Sequence, residues 1–452
     1  MDNLTRQIAN FASHISYEAF PDLVVTAATR YLIDSLACAI AAHDCEPARI
    51  GLRLGRGAAP ERYPGRILFH KATSTAELAA FVNTAMIRNL DFNDQYPGGH
   101  PSDCLGAFLA IAEAAGADGH RLLSSIVTAY ELFVRISDAT GLRYKGWDQG
   151  FAIGICTAAG VGHLLRLSPQ KISEAVAITT VANVPMRNTR AGELSLWKGA
   201  ATSFATRNGL FAALLAAEGM TGPDRPFEGK HGLWDLITGP FDLEPLPTDK
   251  GPFRSPDVQL KYWPVEYNAQ LPVWAGLELR AKVDWRDLVD IDIGTYTFAF
   301  TEIGSEPEKW DPKTRETADH SLPYIFARTL VDGTMTIAAF EEATYRDPAL
   351  RPLMAKIRVH RDEEVEAIYP RVVSMKVKAT TKDGATITIF PRDPLGHTNN
   401  PMKDEDITSK FRQCADAALG KERTAAALER WWNIQDASAT DLGYALAVLD
   451  LP

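Results

Sequence analysis

The feature that most limits the fold of this chain is the spacing of its apolar residues, which changes twice. From the start to about Leu260, apolar residues recur every three or four positions, as on one face of an α-helix. After about Lys282 apolar and polar residues alternate, which is typical of β-strands. From Asp404 to Leu451 the helical spacing returns. This pattern predicts a mainly α protein with a smaller α+β unit inserted into it.

We therefore predict a large all-helical domain made of residues 1–265 and 400–452, interrupted by an α+β domain of residues 266–399. The helices predicted before the insertion cover residues 23–42, 74–90, 102–116, 122–137, 151–167, 171–184 and 200–217. Ser74 and Glu77 have the spacing of a capping box at the second of these helices. In the insertion we predict strands at 289–300, 373–381 and 385–390, with Lys382-Asp383-Gly384 as a hairpin turn, and a helix at 320–331.

Charge and cysteine content exclude several classes of protein. The 452 residues include 47 Lys and Arg against 57 Asp and Glu, a formal charge of −10, which argues against nucleic acid or an anionic membrane as partner. The five cysteines are scattered, which favours a reducing compartment, and their spacing does not suit an iron–sulfur cluster. We see no signal-peptide core and no run of about 18 apolar residues that would span a membrane. We expect a cytoplasmic protein.

The loop after the second predicted helix carries a dense group of ionisable residues. Its sequence, LDFNDQYPGGHPSD, places Asp91 and Asp94 at the end of one helix and His100 just before the next. The positive potential at a helix amino terminus favours neutral imidazole, so His100 is a candidate base near pH 7. These groups could also bind a metal, but their spacing fits no known ligand motif. Asp94 and Asp103 are expected to accept hydrogen bonds from backbone N–H groups.

The segment RNTRAGELSLWKG and the helix after it carry a cationic group: Arg187, Arg190, Lys198 and Arg207. Unpaired cations are costly in so apolar a stretch, so we predict that it binds carboxylates. The alternative is that these cations pair at a surface with Glu193, Asp224 or Glu228. Lys198 and Arg207 are nine residues apart, which at about 100° per residue puts them on opposite faces of a continuous helix. Both can face one site only if Lys198 precedes the first turn.

Three further elements carry candidate residues. In LKYWPVEYNAQ, Lys261 and Glu266 flank a Trp-Pro turn at the proposed domain boundary, where ligand clefts commonly form. In ADHSLPYIFARTLVDG, Tyr324 would have to point into that cleft to act as a proton donor, and otherwise it belongs to the core. Asp148, in KGWDQG, precedes a helix, where an N-cap is the ordinary interpretation.

Several common catalytic motifs do not occur in the sequence. There is no G-x-x-x-x-G-K-[ST], no strand-borne G-x-G-x-x-G, no H-E-x-x-H and no G-x-S-x-G. Nucleotide binding, zinc-dependent proteolysis and serine hydrolysis therefore lack their usual sequence support.

Four motifs in this order and at these separations resemble the MmgE/PrpD family over almost the whole chain: LDFND…HPSD, GELSLWKG…RNG…GMTGP, K-x-x-P-x-E-Y-x-A-Q and DHSLPY. That family includes 2-methylcitrate dehydratases, cis-aconitate decarboxylases and iminodisuccinate epimerases. The resemblance implies a helical domain with an inserted α+β lid, a small polycarboxylate substrate, no metal or organic cofactor, and a homodimer.

Carried over position by position, the resemblance implies a cleft lined by Asp91, His100, Lys198, Arg207, Lys261, Glu266 and Tyr324. Arg190 and Asp148 are further candidates for substrate binding. The decarboxylases typically have His where this chain has Asp148 and Glu266, and Thr near Gln95. Glu266 is the residue that the resemblance to the dehydratases implies at this position. In the dehydratases, however, His is expected where this chain has Asn268.

Loss of water from a β-hydroxy acid needs a base, an acid and cations for the substrate carboxylates. We expect His100 to be the base, held in one tautomer by Asp91, and Tyr324 or Lys261 to protonate the leaving hydroxyl. The substrate carboxylates would be bound by Lys198, Arg207 and Lys261. Glu266 would either orient Lys261 or replace His100 as the base, and both alternatives stay open.

The sequence thus favours a hydro-lyase that acts on a small tricarboxylate such as 2-methylcitrate or citrate. An epimerase or isomerase acting on iminodisuccinate could use the same groups, because it also removes a proton beside a carboxylate. A decarboxylase acting on cis-aconitate is a further alternative in the same site. A helical protein that binds a carboxylate ligand without chemistry is the alternative from a different class.

Overall fold

The computed structural model describes residues 1–190, 194–248 and 251–451, with the backbone alone for residues 143 and 144. The helices before the insertion are α1 Asn3–His14, α2 Asp22–Ala41, α3 Glu46–Gly55, α4 Ala76–Arg88, α5 Leu105–Ile111, α6 Gly119–Thr140, α7 Gly150–Leu164, α8 Pro169–Ala182 and α9 Trp197–Ala217. They confirm the mainly α fold; α1 and α3 were not predicted, and most boundaries of the other helices lie within a few residues of those predicted. Glu193, one alternative partner for the cations, lies outside the described residues.

The predicted capping box at Ser74 is wrong. Strands β1 Pro64–Ile67 and β2 Ala72–Thr75 form an antiparallel hairpin, in which Ser74 pairs with Gly65. The Ser74 hydroxyl donates to the carbonyl oxygen of Gly55, 2.7 Å away, so it does not cap a helix. Helix α4 begins two residues later, at Ala76, because pairing with a distant strand holds residues 72–75 extended.

The helix predicted at residues 102–116 is also divided. Residues Pro101–Cys104 form a 3₁₀ turn that leads into α5, and α5 ends at Ile111, before the glycines expected to stop it. Asp103 lies inside the turn and accepts a hydrogen bond from Nδ2 of Asn93, 3.0 Å away, rather than capping a backbone N–H. Asp94 does bind the backbone N–H of Ser102, as expected for a loop carboxylate.

The insertion contains helices α10 Gln270–Lys282, α11 Thr297–Ala299, α12 Arg315–Ala318, α13 Leu322–Asp332, α14 Glu342–Tyr345, α15 Arg351–Met354 and α16 Glu363–Ile368. Its strands are β3 Leu288–Thr295, β4 Ile357–Arg361, β5 Met375–Thr381 and β6 Thr386–Ile389, in the order β4-β3-β5-β6. The predicted hairpin is confirmed as β5 and β6. β3 ends at Thr295, earlier than predicted, and β4, which pairs parallel with it, was not predicted.

Two hydrophobic cores organise the molecule. One contains residues from Leu4 to Leu260 together with Met402 to Leu449. The other runs from Val265 to Ile389 and belongs to the α+β domain. The tail helices α17 Asp404–Leu419, α18 Lys421–Trp432 and α19 Ala439–Ala447 therefore pack with the N-terminal helices, across the insertion. The exact domain boundaries stay a prediction.

Helix α2 is long and apolar enough to cross a membrane by length and composition alone, although we expected no such segment. It has 20 residues. However, 78% of its most apolar window is buried inside the protein, and its buried face includes Leu32, Leu36 and Ile40. A core helix passes the same test, because both must be apolar on nearly every side.

Glycines allow α7 and α9 to approach closely. A Cβ at Gly209 of α9 would lie 2.4 Å from the carbonyl oxygen of Gly154 and 2.8 Å from Cβ of Thr157, both on α7. A Cβ at Gly199 would meet only ordinary contacts, the nearest at 3.6 Å to Asn89. The first glycine is therefore required by packing, and the second is not.

We expect Gly209→Ala to lower the free energy of unfolding by about 1–2 kcal/mol. Overpacking typically costs about 1–3 kcal/mol, which exceeds the gain of about 1 kcal/mol in helix propensity. Gly199→Ala, in the same helix, is the matched control and should keep or raise stability. Urea denaturation of both variants measures the difference, and equal stability of the two would contradict the packing argument.

Candidate active site

A cavity of about 350 Å³ lies between the helical domain and the α+β domain. The helical side contributes the loop around His100, the end of α6 and the start of α7, and the other side contributes residues near Glu266, Tyr296 and Tyr369. The cavity thus brings together chain segments separated by more than 200 residues. Asp91, Asp148, Arg190, Glu266 and His100, all candidates from the sequence, line it.

Asp91 is the central carboxylate of the site and is 2% exposed. Its φ angle of 51° lies in the left-handed region, which non-glycine residues adopt rarely and at a cost. Oδ1 lies 2.8 Å from Nζ of Lys261 and 2.8 Å from Nη1 of Arg88, and Oδ2 lies 2.9 Å from Nζ of Lys198. Although burial acts in the opposite direction, these three cations hold the pKa of the Asp91 carboxyl well below its usual range.

Lys198 and Lys261 lie behind Asp91 rather than on the cavity wall. Both are buried, at 2% and 0% exposure, and both are engaged with the Asp91 carboxylate. Nζ of Lys261 also donates to the Asp91 carbonyl oxygen over 2.7 Å. The expectation that they contact the substrate carboxylates directly is therefore wrong. They act on the cavity through Asp91 and through their field.

His320 and Arg88 belong to this site but were missed in the sequence. Nε2 of His320 lies 3.4 Å from Oδ2 of Asp91, and its Nδ1 contacts the carboxylate of Asp319. Burial, and next the charge of Lys198, lower the pKa of His320 to about 4, so it is neutral near pH 7. His320 stands in the DHSLPY motif, in which Tyr324 was the predicted site residue. Arg88 ends α4, three residues before Asp91, a spacing that could have indicated the pair.

His100 has the geometry of a base. Its Nδ1 bonds to the carbonyl oxygen of Asp94, which can only accept, so Nδ1 carries the proton and Nε2 has a free lone pair. Nε2 lies 3.8 Å from Oδ1 of Asp91, too far for a hydrogen bond. Asp94, not Asp91, therefore fixes the tautomer. Burial, followed by the charges of Arg88 and Lys261, lowers the pKa of His100 well below its usual range, so it is neutral near pH 7.

A glycine holds the His100 loop in place. The backbone N–H of His100 donates to Oε1 of Gln149 over 2.7 Å. A Cβ at Gly99, whose φ is 157°, would lie 1.6 Å from that same oxygen. Only glycine leaves room for this contact.

Glu266 faces the cavity from the other side and is held by Asn268. Its Oε2 accepts from the backbone N–H of Asn268 over 2.7 Å, and its Oε1 accepts from Nδ2 of the same residue over 2.8 Å. Oδ1 of Asn268 accepts in turn from the hydroxyl of Tyr296 over 2.5 Å. Burial, and next the charge of Asp91, raise the pKa of Glu266 to about 7. Glu266 can therefore give or take a proton at neutral pH.

Two ion pairs on the wall fix the remaining candidate cations. Nε of Arg190 lies 2.6 Å from Oδ2 of Asp148. Oδ1 of Asp148 also accepts from the backbone N–H of Gly150, as the N-cap interpretation predicted. Arg187 pairs across the cavity with Glu302 of the α+β domain, over 2.8 Å.

Two of the residues assigned to the site lie elsewhere. Tyr324 is buried in the core of the α+β domain, where its hydroxyl donates to the carbonyl oxygen of Ala339. Arg207 lies against the ring of Phe204 at 5.5 Å and donates to Oδ1 of Asn208. Because α9 begins at Trp197, Lys198 lies inside its first turn, and the helix directs Arg207 to the opposite face.

The balance of charge suits an anionic ligand. Asp91, Asp319 and His320 offer ligand atoms within 4.8 Å of one another, an arrangement that could hold a metal ion. The two carboxylates already bind Lys198, and Asp319 also pairs with Arg315 at 3.4 Å. At Asp91 itself, three cations, Arg88, Lys198 and Lys261, surround one carboxylate. Positive charge in excess attracts carboxylates and repels a metal cation.

We expect Glu266 to make the protein less stable as the pH rises. The folded protein holds the Glu266 proton up to about pH 7, whereas the ordinary carboxyl pKa is 4.5. Its contribution to the free energy of unfolding is therefore complete below pH 4.5 and is lost as the pH rises through 7. Urea denaturation at pH 5 and pH 8 should give a larger decrease for the wild type than for Glu266→Gln. Equal decreases would contradict the raised pKa.

Known proteins resemble the chain along nearly its whole length. Residues 6–246 match the MmgE/PrpD N-terminal domain, and residues 263–434 match the MmgE/PrpD C-terminal domain. The chain is 28% identical over 436 residues to the 2-methylcitrate dehydratase of Cupriavidus necator, covering 88% of this chain and 87% of that relative. It is 26% identical over 373 residues to the cis-aconitate decarboxylase of Homo sapiens, covering 79% and 76%. The chain belongs to the MmgE/PrpD family.

Proposed function

We propose that this protein is a hydro-lyase that removes water from a small tricarboxylate such as 2-methylcitrate or citrate. The observation that carries the proposal is that one cavity holds both a neutral His100 with a free Nε2 and a Glu266 that titrates near pH 7. Relatives named 2-methylcitrate dehydratase and cis-aconitate decarboxylase support the class of reaction. Side chains alone supply the base, the acid and the positive field.

His100 acts as the base in this proposal. Nε2 takes the proton from the carbon beside a substrate carboxylate, and the electron pair of that C–H bond forms the new C=C bond. Negative charge grows on the carboxylate as the proton leaves, where the cations behind Asp91 stabilise it. A bound tricarboxylate also brings negative charge close to His100, which raises its basicity from the depressed value of the empty site.

Glu266 replaces Tyr324 and Lys261 as the acid. Tyr324 donates its hydroxyl proton inside a core, and Lys261 is fully buried behind Asp91, so neither reaches the cavity. Protonated Glu266 transfers its proton to the leaving hydroxyl, which departs as water when the C–O bond breaks. Asn268 positions Glu266 by binding both its oxygens.

We expect His100→Gln to lower kcat by about 10²–10⁴-fold, the usual contribution of a positioned general base. In deuterated water it should also stop deuterium exchange at the substrate α-carbon. Glu266→Gln should lose dehydration but retain more of the exchange, because proton abstraction does not need the acid. If His100→Gln kept full turnover while Glu266→Gln lost it, the base and acid would be reversed.

The pH dependence gives a second test of the acid. Since Glu266 must be protonated, we expect kcat/KM to fall as the pH rises above about 7, the pKa that burial and the charge of Asp91 give this group. The falling limb should be absent from the residual activity of Glu266→Gln. A rate that rises through pH 7 would instead make Glu266 the base.

Product analysis by NMR distinguishes the substrates and the alternative reactions. The purified protein is incubated with 2-methylcitrate, citrate, cis-aconitate and iminodisuccinate. A conjugated double bond formed from 2-methylcitrate or citrate supports the hydro-lyase. Exchange at the α-carbon without loss of water would favour an epimerase, and loss of carbon dioxide from cis-aconitate would favour a decarboxylase. Ligand-dependent melting with no change in any of the four acids would identify a binding protein.

We also propose that the protein is a homodimer and that α9 forms its interface. Trp197, Phe204 and Phe211 lie seven residues apart on one face of α9 and expose 47%, 43% and 42% of their surface. Two copies of α9 crossing at Phe204 on a two-fold axis would bring Trp197 of each copy to Phe211 of the other. This self-complementary spacing suits an isologous interface.

Light scattering during size-exclusion chromatography tests the interface. The wild type should have twice the chain mass of 49.5 kDa, and Phe204→Asp should have the mass of one chain. Leu54→Asp, on α3 and 76% exposed, is the matched control and should remain dimeric. A monomeric wild type, or a dimeric Phe204→Asp, would contradict the proposal.

A further inference from the structure

A second buried ion pair lies beneath the Asp91 cluster and comes from the C-terminal tail. Nζ of Lys410, on α17, lies 2.6 Å from Oδ1 of Asp34, on α2. The two residues are 2% and 1% exposed. Lys410 also lies 3.6 Å from the centre of the Phe92 ring. None of the roles proposed above uses this pair.

The ammonium group of Lys410 connects both segments that carry the site. Besides Asp34, it donates to the carbonyl oxygen of Phe92 over 2.8 Å and to that of Lys261 over 2.9 Å. Its three donors are therefore all used. Phe92 directly follows Asp91, and Lys261 is itself bonded to Asp91. One side chain from the tail thus fixes the backbone on both sides of the central contact.

Asp91 needs such support because its backbone conformation is costly. A non-glycine residue at a φ of 51° persists only where the surrounding contacts determine it strongly. Lys261 holds the carbonyl oxygen of Asp91 itself, and Lys410 holds that of the next residue. The pair lies behind both residues and does not line the cavity in the described part of the chain.

We infer that Lys410 and Asp34 are positioning residues that hold Asp91 and Lys261 in the catalytic geometry. The C-terminal tail thus supports the active site through Lys410. The inference rests on the proposed function for its kinetic consequence. A misplacement of about 1 Å in a catalytic constellation lowers a rate by about 100-fold. The pair should therefore affect kcat, while KM changes little because the cavity wall is retained.

The decisive variant removes both members of the pair. Lys410→Met alone leaves a buried, unpaired carboxylate and should lose stability and kcat together. Asp34→Val/Lys410→Met removes both charges, and replacing a buried ion pair with apolar residues is often neutral or stabilising. We expect the double variant to be more stable than Lys410→Met, because no buried carboxylate is left unpaired, and yet to keep a kcat about 100-fold below wild type. A double variant that regained both stability and kcat would overturn the inference, since the pair would then be structural only.

Arg30→Met is the matched control. Arg30 and Asp404 form another ion pair between α2 and α17, at 2.7 Å, which is partly exposed and does not contact the site. This variant should keep the wild-type kcat, and a 100-fold loss would show that any weakening of the two helices has the same effect, against the inference.

A readout independent of turnover separates this inference from the proposed function. The ring ¹⁵N signals of His320, 3.4 Å from Asp91, should shift in the double variant and stay unchanged in Arg30→Met. If the wild type converted none of the tested acids, the proposed function would fail while these signals still tested the positioning. Unchanged His320 signals in the double variant would overturn it.

Discussion

The structure depends on the neutralisation of one buried negative charge, that of the Asp91 carboxylate. Its cations come from the end of α4, the start of α9 and the segment around residue 261, and His320 reaches it from the α+β domain. Ion pairs so deeply buried are costly unless every partner is present. The cluster therefore requires three distant segments of the chain to be correctly placed, and it contacts the α+β domain through Asp319 and His320. Lys410 extends the same requirement to the C-terminal tail.

The proposed function requires an acidic protein to hold an anionic substrate. The formal charge of −10 describes the whole surface and opposes extended polyanions. In the cavity, a few converging cations set the local potential, because burial reduces solvent screening. The same cations keep Asp91 ionised, whereas burial is the first cause that keeps His100 and His320 neutral and leaves Glu266 titrating near pH 7. One small site thus holds an ionised carboxylate, two neutral imidazoles and a carboxyl group that titrates near neutral pH.

Much of the fold could be predicted, because helix and strand periods are local properties of the sequence. The long helices, the β5–β6 hairpin and the return of the tail to helix followed from apolar spacing. Ser74 could not be assigned, since its conformation is set by pairing with Gly65 in another strand. Asp91, His100, Glu266, Asp148 and Arg190 were found from their loop positions and the family resemblance, and they meet in one cavity. Tyr324 and Arg207 were misplaced because motif membership does not say which way a side chain points.

The sequence by itself determined the mainly α architecture, the inserted α+β unit and the segments that hold the ionisable residues, because each depends on spacing along the chain. Only the tertiary structure decided that Lys198 and Lys261 support Asp91 from behind, that Asp94 fixes the His100 tautomer, and that His320 completes the site. The contacts with Asp91 join residues far apart in the chain, and the contact of His100 with Asp94 depends on how one loop is folded. Their geometry depends on burial and on partners that no local pattern specifies, and burial is also what sets the pKa of each group.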